Sequence, residues 1–347
     1  MSIAVRPHLS DVHRHLPFLG CVDRLLASRR IPKLGRLTDT DVVMRTSAAV
    51  STHGSAKFGL PSHASTEVSA WTAFWQEQDS ESRCLRSASG QLRDLLSDHW
   101  NGFAAGLPHG TKVLDIGCGS GIVGRSLVRA QPSLHVVGID AARVRATSAC
   151  PNVKILPEIA IEALPFVDKC FDAAVSQFGY EYSDTNAAAK ELVRVLNPGA
   201  RISFIVHHSA SPIVLGDRLH GKALRAALSD DVRGPFLAGD AAALSETLTR
   251  LQRQFPDETT LWPLARGLLE RIADGLQQRH RLWSAVKEAL APDLILSDAL
   301  KASCVAPAEI EGWLTPLGQA FDVDRPSILQ IHGQPLAWKI EGRRKIR

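Results

Sequence analysis

The sequence lacks a long apolar run, a paired-cysteine motif and a concentration of basic residues in its body. No uninterrupted apolar segment approaches the roughly 20 residues that a membrane-spanning helix needs. The N-terminal segment shows no apolar stretch followed by a small-residue cleavage site, so we expect no secretory signal and a cytoplasmic location. The six cysteines are scattered without a CxxC pair, which fits a reducing compartment and predicts no zinc site.

The formal net charge of +4 originates in the first 70 residues, which contain nine Lys/Arg against five Asp/Glu. A nucleic-acid-binding protein would be expected to concentrate its basic residues on the folded body. We therefore predict no nucleic-acid partner and interpret the basic residues as part of a solvated end.

Residues 1–65 mix short apolar pieces with Pro, Gly, Ser and His and show no sustained period. We expect a disordered or weakly structured lead-in, with a weak helix near 12–27 and disorder around 46–65. Order is expected to begin near Trp71 and to continue in a helix over 91–107, where large apolar residues recur at helical spacing.

Apolar segments alternate with helical patterns from residue 113 to residue 208. Strands are predicted over 113–117, 135–140, 153–157, 171–177 and 201–208, and helices over 120–131, 141–149 and 186–197. Apolar strands separated by helices predict a parallel sheet covered on both faces, so the expected fold class is α/β.

The strand rhythm stops after residue 208. Helical patterns fill 209–306, and the remaining segment, 307–347, predicts one more helix and two strands, FDVDRPSILQ and PLAWKIEGRR, joined by a turn at IHGQ. The sequence thus divides into the lead-in, a core over 66–208, a helical insertion and a last helix with a terminal β-hairpin. A hairpin at the end of a parallel sheet is unlike the usual all-parallel dinucleotide-binding fold.

The segment VLDIGCGSGIVG, residues 113–124, carries two glycine signatures at once. Read from Gly119, it is the G-x-G-x-x-G that holds the pyrophosphate of NAD. Read from Asp115, it is D-x-G-x-G-x-G, with Gly117 and Gly121 as its outer glycines. Both readings predict a strand-to-helix turn whose backbone approaches a ligand closely.

Two acidic residues bear on the choice of ligand. Asp115 lies inside the strand, where a carboxylate is awkward beside a pyrophosphate but suits a cationic amino group. Asp140 ends the next strand, where it can accept hydrogen bonds from both ribose hydroxyls, and this suits either ligand.

Two further segments accompany the glycine loop in a fixed order. IEALPF, residues 161–166, precedes the strand FDAAVSQ, and ELVRVLNPGARISF covers residues 191–204. Together with D-x-G-x-G-x-G, this set resembles the class I S-adenosylmethionine (SAM)-dependent methyltransferases, of the small-molecule, methyltransferase type 11-like kind. The resemblance covers roughly residues 112–208. It implies a Rossmann-like sheet that is mostly parallel with an antiparallel last strand, and an insertion that acts as a substrate lid.

The resemblance also implies a set of SAM-binding residues. The loop and strand-end positions are Asp115, Gly117, Cys118, Gly119, Gly121, Asp140, Ile161, Glu162 and Gln177. Within this set Asp140 would bind the ribose, and the backbone of Ile161 and Glu162 would contact the adenine. The family usually has Asp where this sequence has Ala160, so we expect Glu158 or Glu162 to substitute, or the adenine amino group to face water.

Catalytic candidates follow the fourth and fifth predicted strands. Both tyrosines of the chain fall there, and Tyr180 or Tyr182 could orient the acceptor or form an aromatic wall for the sulfonium; packing under the insertion is an equally good interpretation. His207 or His208 could accept a proton, but neighbouring strand residues point to opposite faces, so at most one should face the site.

The aromatic residues before the core leave two interpretations open. In the first, the segment closes over the cofactor with Trp71, Phe74 and Trp75, and Arg83 pairs with the SAM carboxylate. In the second, the aromatic side chains seal a helix against the sheet. We favour sealing for the tryptophans.

We predict a SAM-dependent methyltransferase with a small organic or lipid-like acceptor. No N-P-P-Y-like tetrapeptide follows the fourth strand, which weighs against methylation of an adenine or glutamine amino group. The alternatives are a non-catalytic protein with the SAM-binding fold and an NAD-dependent oxidoreductase. The acceptor atom and the oligomeric state stay open.

Overall fold

The computed structural model describes residues 62–76, 90–144, 150–258 and 261–346. The predicted helix near 12–27, most of the lead-in and Arg83 lie outside the described residues. Helix α1 (Ser62–Gln76) begins nine residues before Trp71, so the expectation that order begins near Trp71 is wrong. The reason is tertiary: Trp71 and Trp75 pack against a small apolar cluster beside the glycine loop.

Eight strands within the described residues form one sheet. They are β1 (Lys112–Ile116), β2 (His135–Asp140), β3 (Val153–Pro157), β4 (Phe171–Gln177), β5 (Leu196–His207), β6 (Phe321–Val323), β7 (Ser327–Ile331) and β8 (Gln334–Arg344). The order is β3-β2-β1-β4-β5-β8-β6, with β7 also paired to β8. Strands β1 to β5 are parallel, and β8 runs antiparallel to β5. This confirms the predicted fold class.

Helices cover both faces of the sheet. Successive residues of β1 point to opposite sides, so Val113 contributes to one apolar cluster and Leu114 to the other. On the first side lie α2 (Gly90–Ala105) and α3 (Ile122–Ala130), and on the second lie α4 (Thr185–Val195) and α10 (Ile310–Gly318). The carboxyl ends of β1, β2, β4 and β5 therefore meet at one edge between the two layers.

Five helices lie between β5 and α10 in the described part of the chain. They are α5 (Pro212–Ala227), α6 (Asp230–Ala238), α7 (Ala241–Gln254), α8 (Leu261–Glu270) and α9 (Leu276–Ser303). These helices have an apolar core of their own, which includes Phe236, Leu244 and Trp283. Helix α9 contacts α1, so the insertion reaches the side of the sheet where the glycine loop lies. Among the described residues, no helix has the length and apolar character needed to cross a bilayer.

Three local predictions need correction. Residues 141–144 are not helical, and the rest of the predicted helix 141–149 lies outside the described residues. Strand β5 begins at Leu196, before the Pro-Gly pair, because this segment already pairs with β4. The strand predicted over 321–330 is two strands, β6 and β7, separated by a segment with Pro326, which has no N–H for a ladder.

Candidate functional site

The glycine loop joins β1 to α3 at the carboxyl edge of the sheet, and all three of its glycines have positive φ. At Gly119 (φ +49°), an added Cβ would collide with the indole ring of Trp75. At Gly117 (φ +61°), an added Cβ would lie 2.8 Å from Cα of Gly179. Both positions therefore need glycine for its left-handed backbone and for the close approach of a neighbour.

Asp115 is buried behind the loop, with 1% of its surface exposed. Its Oδ2 accepts a hydrogen bond from the Gly124 N–H at 3.1 Å, whereas its Oδ1 has no hydrogen-bond partner. Burial raises the pKa of the carboxyl to about 7, and the nearby Asp140 raises it further against the opposing effect of the Gly124 hydrogen bond. A buried acceptor without a donor is costly, so this position fits a ligand that brings a donor or a positive charge.

Asp140, at the end of β2, connects the loop to the next segment. Its Oδ2 accepts from the Gly119 N–H at 2.9 Å and its Oδ1 from the Ala142 N–H at 2.8 Å. Burial raises its pKa to about 6, although both N–H groups favour the ionised form. An ionised carboxylate has about four acceptor positions, so two remain for the hydroxyls of a ribose.

Cys118 contributes its backbone to the loop and its side chain to the core. Its N–H donates to the Ile139 carbonyl at 2.9 Å, and its sulfur lies against Gly138. Burial raises the pKa of the thiol well above its usual value, so it is not a nucleophile.

The segment expected beside the adenine forms a short 3-10 turn, Ile161–Ala163, in which Ile161 is buried. Glu162 Oε1 accepts from the Asp184 N–H at 2.9 Å, and Glu158 pairs with Arg143 at 2.9 Å. Each carboxylate therefore has one partner in the protein and keeps further acceptor positions, so its substitution for the aspartate absent at position 160 stays a prediction.

Gln177 is held at the end of β4 by α2. Its Oε1 accepts a hydrogen bond from the Trp100 indole N–H at 2.7 Å. The amide NH₂ is therefore the group of this side chain that can donate to another partner. The sequence did not indicate that Trp100 fixes this side chain.

The structure places Tyr180 in the core, so its assignment as a catalytic candidate is corrected. It is fully buried, its ring stacks on Phe204 at 4.7 Å, and its hydroxyl donates to the Thr185 carbonyl at 3.3 Å. Burial also raises its pKa, so the phenol stays protonated. Tyr180 stabilises the packing of α4 on the sheet and does not reach the glycine loop.

Tyr182 lies at the edge instead. Its ring meets Trp71 of α1 edge-on at 5.3 Å and packs near Val214, Leu300 and Cys304 of the insertion. Because Trp75 also lies on Gly119, α1 covers the glycine loop with aromatic side chains. The tryptophans pack on the glycine loop as well as on Ile155 of β3, so closure over the site and sealing of a helix against the sheet both stay open as interpretations.

The two histidines after β5 point in different directions, as expected. His207 Nδ1 lies 2.8 Å from Glu181 Oε1, and its ring stacks on Phe178 at 4.2 Å. His208 packs on Trp338, and burial lowers its pKa. The sequence did not indicate the pairing of Glu181 with His207, although His207 ends β5 and Glu181 lies four residues after the end of the neighbouring parallel strand β4.

Among the described residues, no group of three or more His, Cys, Asp or Glu side chains could hold a metal ion. The described residues thus bring together a glycine turn, the carboxylates of Asp115 and Asp140, and a carboxylate–imidazole pair at the ends of neighbouring strands.

Residues 113–199 match the family model described as "Methyltransferase domain". The sheet order, the glycine loop and this match define a class I methyltransferase domain of the SAM-dependent type. The match covers β1 to the first part of β5 and contains every SAM-binding residue that the sequence predicted.

Curated relatives are similar to this chain over the same region. An uncharacterised protein of Mycobacterium tuberculosis is 38% identical over 109 residues, which is 29% of this chain and 39% of the relative. The demethylmenaquinone methyltransferase of Thermus thermophilus is 36% identical over 99 residues, 26% of this chain and 44% of the relative. The chain thus spans about two fifths of the length of the curated relatives it matches.

A solved structure with a similar arrangement is the Burkholderia thailandensis 1,6-didemethyltoxoflavin-N1-methyltransferase, which contains bound S-adenosylhomocysteine. It is 11% identical, covers 84% of this chain and 93% of its own, and has a TM-score of 0.43.

Proposed function

We propose that this protein binds SAM on the glycine loop and transfers its methyl group to a small organic or lipid-like acceptor. When bound, SAM supplies an electrophilic methyl carbon and a neutral leaving group. The observation that carries the proposal is the buried Oδ1 of Asp115, which has no hydrogen-bond partner and lies behind a loop whose three glycines have positive φ.

Each residue of the site has a distinct part in binding. The loop amides contact the ligand, Asp140 accepts from the ribose hydroxyls, and Asp115 provides negative charge for the ammonium of the methionine part. The Ile161–Ala163 turn borders the adenine with a buried apolar side chain. In-line displacement needs mainly alignment of the reacting atoms and exclusion of water, which α1 and the insertion supply by covering the edge.

The acceptor is a small molecule rather than a nucleic acid in this proposal. Helices α5 and α9 pack beside the strand ends, and the insertion would act as the lid over the acceptor. Curated relatives named demethylmenaquinone methyltransferase support a lipid-like acceptor.

Isothermal titration calorimetry with SAM, S-adenosylhomocysteine and NADH tests the proposal. We expect binding of the first two compounds at micromolar concentrations and no heat with NADH. Binding of NADH alone would favour the NAD-dependent oxidoreductase, and SAM binding without release of S-adenosylhomocysteine across a broad acceptor panel would favour the non-catalytic alternative.

SAM affinity is expected to depend on pH through Asp115. Its pKa of about 7 in the free protein means that the carboxyl becomes protonated as the pH falls below 7, and the neutral form does not attract the ligand ammonium. We expect the Kd for SAM to rise about fivefold between pH 7.5 and pH 6, measured by calorimetry.

Asp115→Asn is the matched variant, since an amide oxygen can still accept from the Gly124 N–H. The Kd of the variant divided by the Kd of the parent, taken at each pH, cancels the titration of the ligand itself. This quotient should fall toward low pH, because the parent loses affinity there. A quotient that does not change with pH would contradict the role of Asp115. The pKa of Asp115 is raised in the folded protein, so its ionisation lowers the free energy of unfolding as the pH rises from about 4 to about 7, and the loss persists above pH 7. Without ligand, Asp115→Asn should therefore melt at a higher temperature than the parent at pH 7.5.

A further inference from the structure

The ends of β4 and β5 hold a buried carboxylate–imidazole pair beside the glycine loop. Glu181 Oε1 accepts the backbone N–H of His207 at 3.0 Å and lies 2.8 Å from Nδ1 of the same residue. Because one oxygen is already an acceptor for a backbone donor, the arrangement favours Nδ1–H as a second donor to it. The neutral imidazole then carries its lone pair on Nε2.

The part of the pair that keeps exposed surface belongs to His207. The side chain of Glu181 has no exposed surface, whereas that of His207 keeps 9% of its surface exposed. Phe178 covers one ring face, and Tyr182 meets the ring edge-on with centroids 6.2 Å apart. Phe178 has a φ of +57°, a left-handed conformation that is uncommon for a bulky residue and that tends to occur at functional sites.

We propose that Glu181 and His207 act together as the general base for an acceptor that carries a phenolic or enolic hydroxyl. This inference rests on the proposed function, and it narrows the acceptor from small molecules in general to those that must lose a proton. The aromatic rings of Phe178, Tyr182 and Trp71 around the pair suit a planar acceptor.

The proton and electron balance is simple. The hydroxyl proton passes to Nε2, whose lone pair forms the new N–H bond, and the former O–H pair stays on the acceptor oxygen. That oxygen forms the bond to the methyl carbon, while the S–CH₃ pair remains on sulfur. His207 is then an imidazolium between the acceptor and Glu181, and it returns its proton to water. His207 is the catalytic residue, and Glu181 is a positioning residue that also stabilises the imidazolium.

A purely structural pair would not need these features. Glu181 Oε2 is buried without a hydrogen-bond partner, which is costly in a group that serves packing alone. The other titratable groups around His207 are Tyr182, the neighbouring His208 and Asp217 of α5, whose carboxyl is near enough to interact with His207 electrostatically. A positive charge formed on His207 would therefore interact with two carboxylates, those of Glu181 and Asp217.

Side-chain NMR of ¹⁵N-histidine-labelled protein tests the pair without any acceptor. Two-bond correlations from the ring protons show which nitrogen carries hydrogen, and His207→Asn identifies the signals. We expect Nδ1 protonated and Nε2 unprotonated in the neutral ring. We also expect Glu181→Gln to shift the ring-nitrogen signals of His207, since the variant lacks the carboxylate that lies 2.8 Å from Nδ1. Protonated Nε2, or unchanged His207 signals in the variant, would overturn the proposal.

The His220–Glu258 pair is a control of the same kind, with Nδ1 and Oε2 2.9 Å apart inside the insertion. Glu258→Gln should change the His220 signals and leave those of His207 unchanged. Calorimetry with SAM on Glu181→Gln separates this inference from the proposed function, because SAM should bind the variant within about threefold of the parent.

Release of S-adenosylhomocysteine then tests the acceptor class. The hydroxyl probes are catechol and 1,4-naphthoquinol, and the amine probes are aniline and 1-naphthylamine. We expect methylation of hydroxyl probes only, with kcat lowered 100-fold or more by Glu181→Gln and a KM within a few-fold. Turnover of the amines alone, or of neither set, would count against a hydroxyl acceptor.

Discussion

Asp140→Ala is expected to weaken SAM binding by at least about 100-fold. The change removes an ionised acceptor for two ribose hydroxyls, and hydrogen bonds to a charged acceptor contribute roughly 1.5–3 kcal/mol each. It also leaves the N–H groups of Gly119 and Ala142 without the carboxylate that now accepts from them. The loop should therefore lose order together with affinity. Calorimetry with SAM measures the effect.

Asp172→Ala is the control for this result. Asp172 also accepts hydrogen bonds, from the Lys112 backbone N–H at 3.0 Å and from the Asn197 amide at 2.8 Å. It lies at the amino end of β4, at the edge of the sheet opposite the glycine loop. We expect its removal to lower stability by about 1 kcal/mol and to leave SAM affinity unchanged. Equal losses of affinity in both variants would mean that the fold, and not a contact to the ligand, explains the effect of Asp140.

Gly119→Ala is expected to have a comparable effect, on the order of 100-fold in the Kd for SAM. The new methyl group would overlap the ring of Trp75, and the residue has a φ of +49° that alanine adopts only at a cost of about 1 kcal/mol. The loop must shift to relieve the overlap, and its amides then no longer point at the ligand. Calorimetry with SAM measures this loss of affinity.

Gly110→Ala separates strain from crowding. Gly110 has a φ of +77°, but nothing lies within 4 Å of an added Cβ, and it precedes β1 at the opposite edge of the sheet. This variant should lose about 1 kcal/mol of stability and bind SAM like the parent. If Gly119→Ala binds SAM as well as Gly110→Ala does, the glycine loop does not hold the cofactor.

The sheet and the cofactor half of the site were predictable because local patterns determine them. Five apolar strands and their helices specify the parallel order, and three glycines after a buried strand specify the turn. Asp115 and Asp140 were identified from their positions relative to these strands, and the structure places Asp140 in contact with the loop.

The other half of the site depends on tertiary contacts that spacing does not show. Tyr180 and Tyr182 are two residues apart, yet one is buried against Phe204 and the other meets Trp71. The partner of His207 is Glu181, 26 residues earlier, and only the neighbouring positions of β4 and β5 bring them together. Pairing of Glu158 and Glu162 with Arg143 and Asp184 likewise depends on how separate segments fold.

A crystal structure of the protein with S-adenosylhomocysteine tests the cofactor site most directly. We expect the ligand over the loop from Gly117 to Gly121, with both ribose hydroxyls on Asp140 and the ammonium within hydrogen-bond reach of Asp115 Oδ1 or a water bound to it. Electron density for the ligand anywhere else, or a loop that stays closed under Trp75 at saturating ligand, would contradict this expectation.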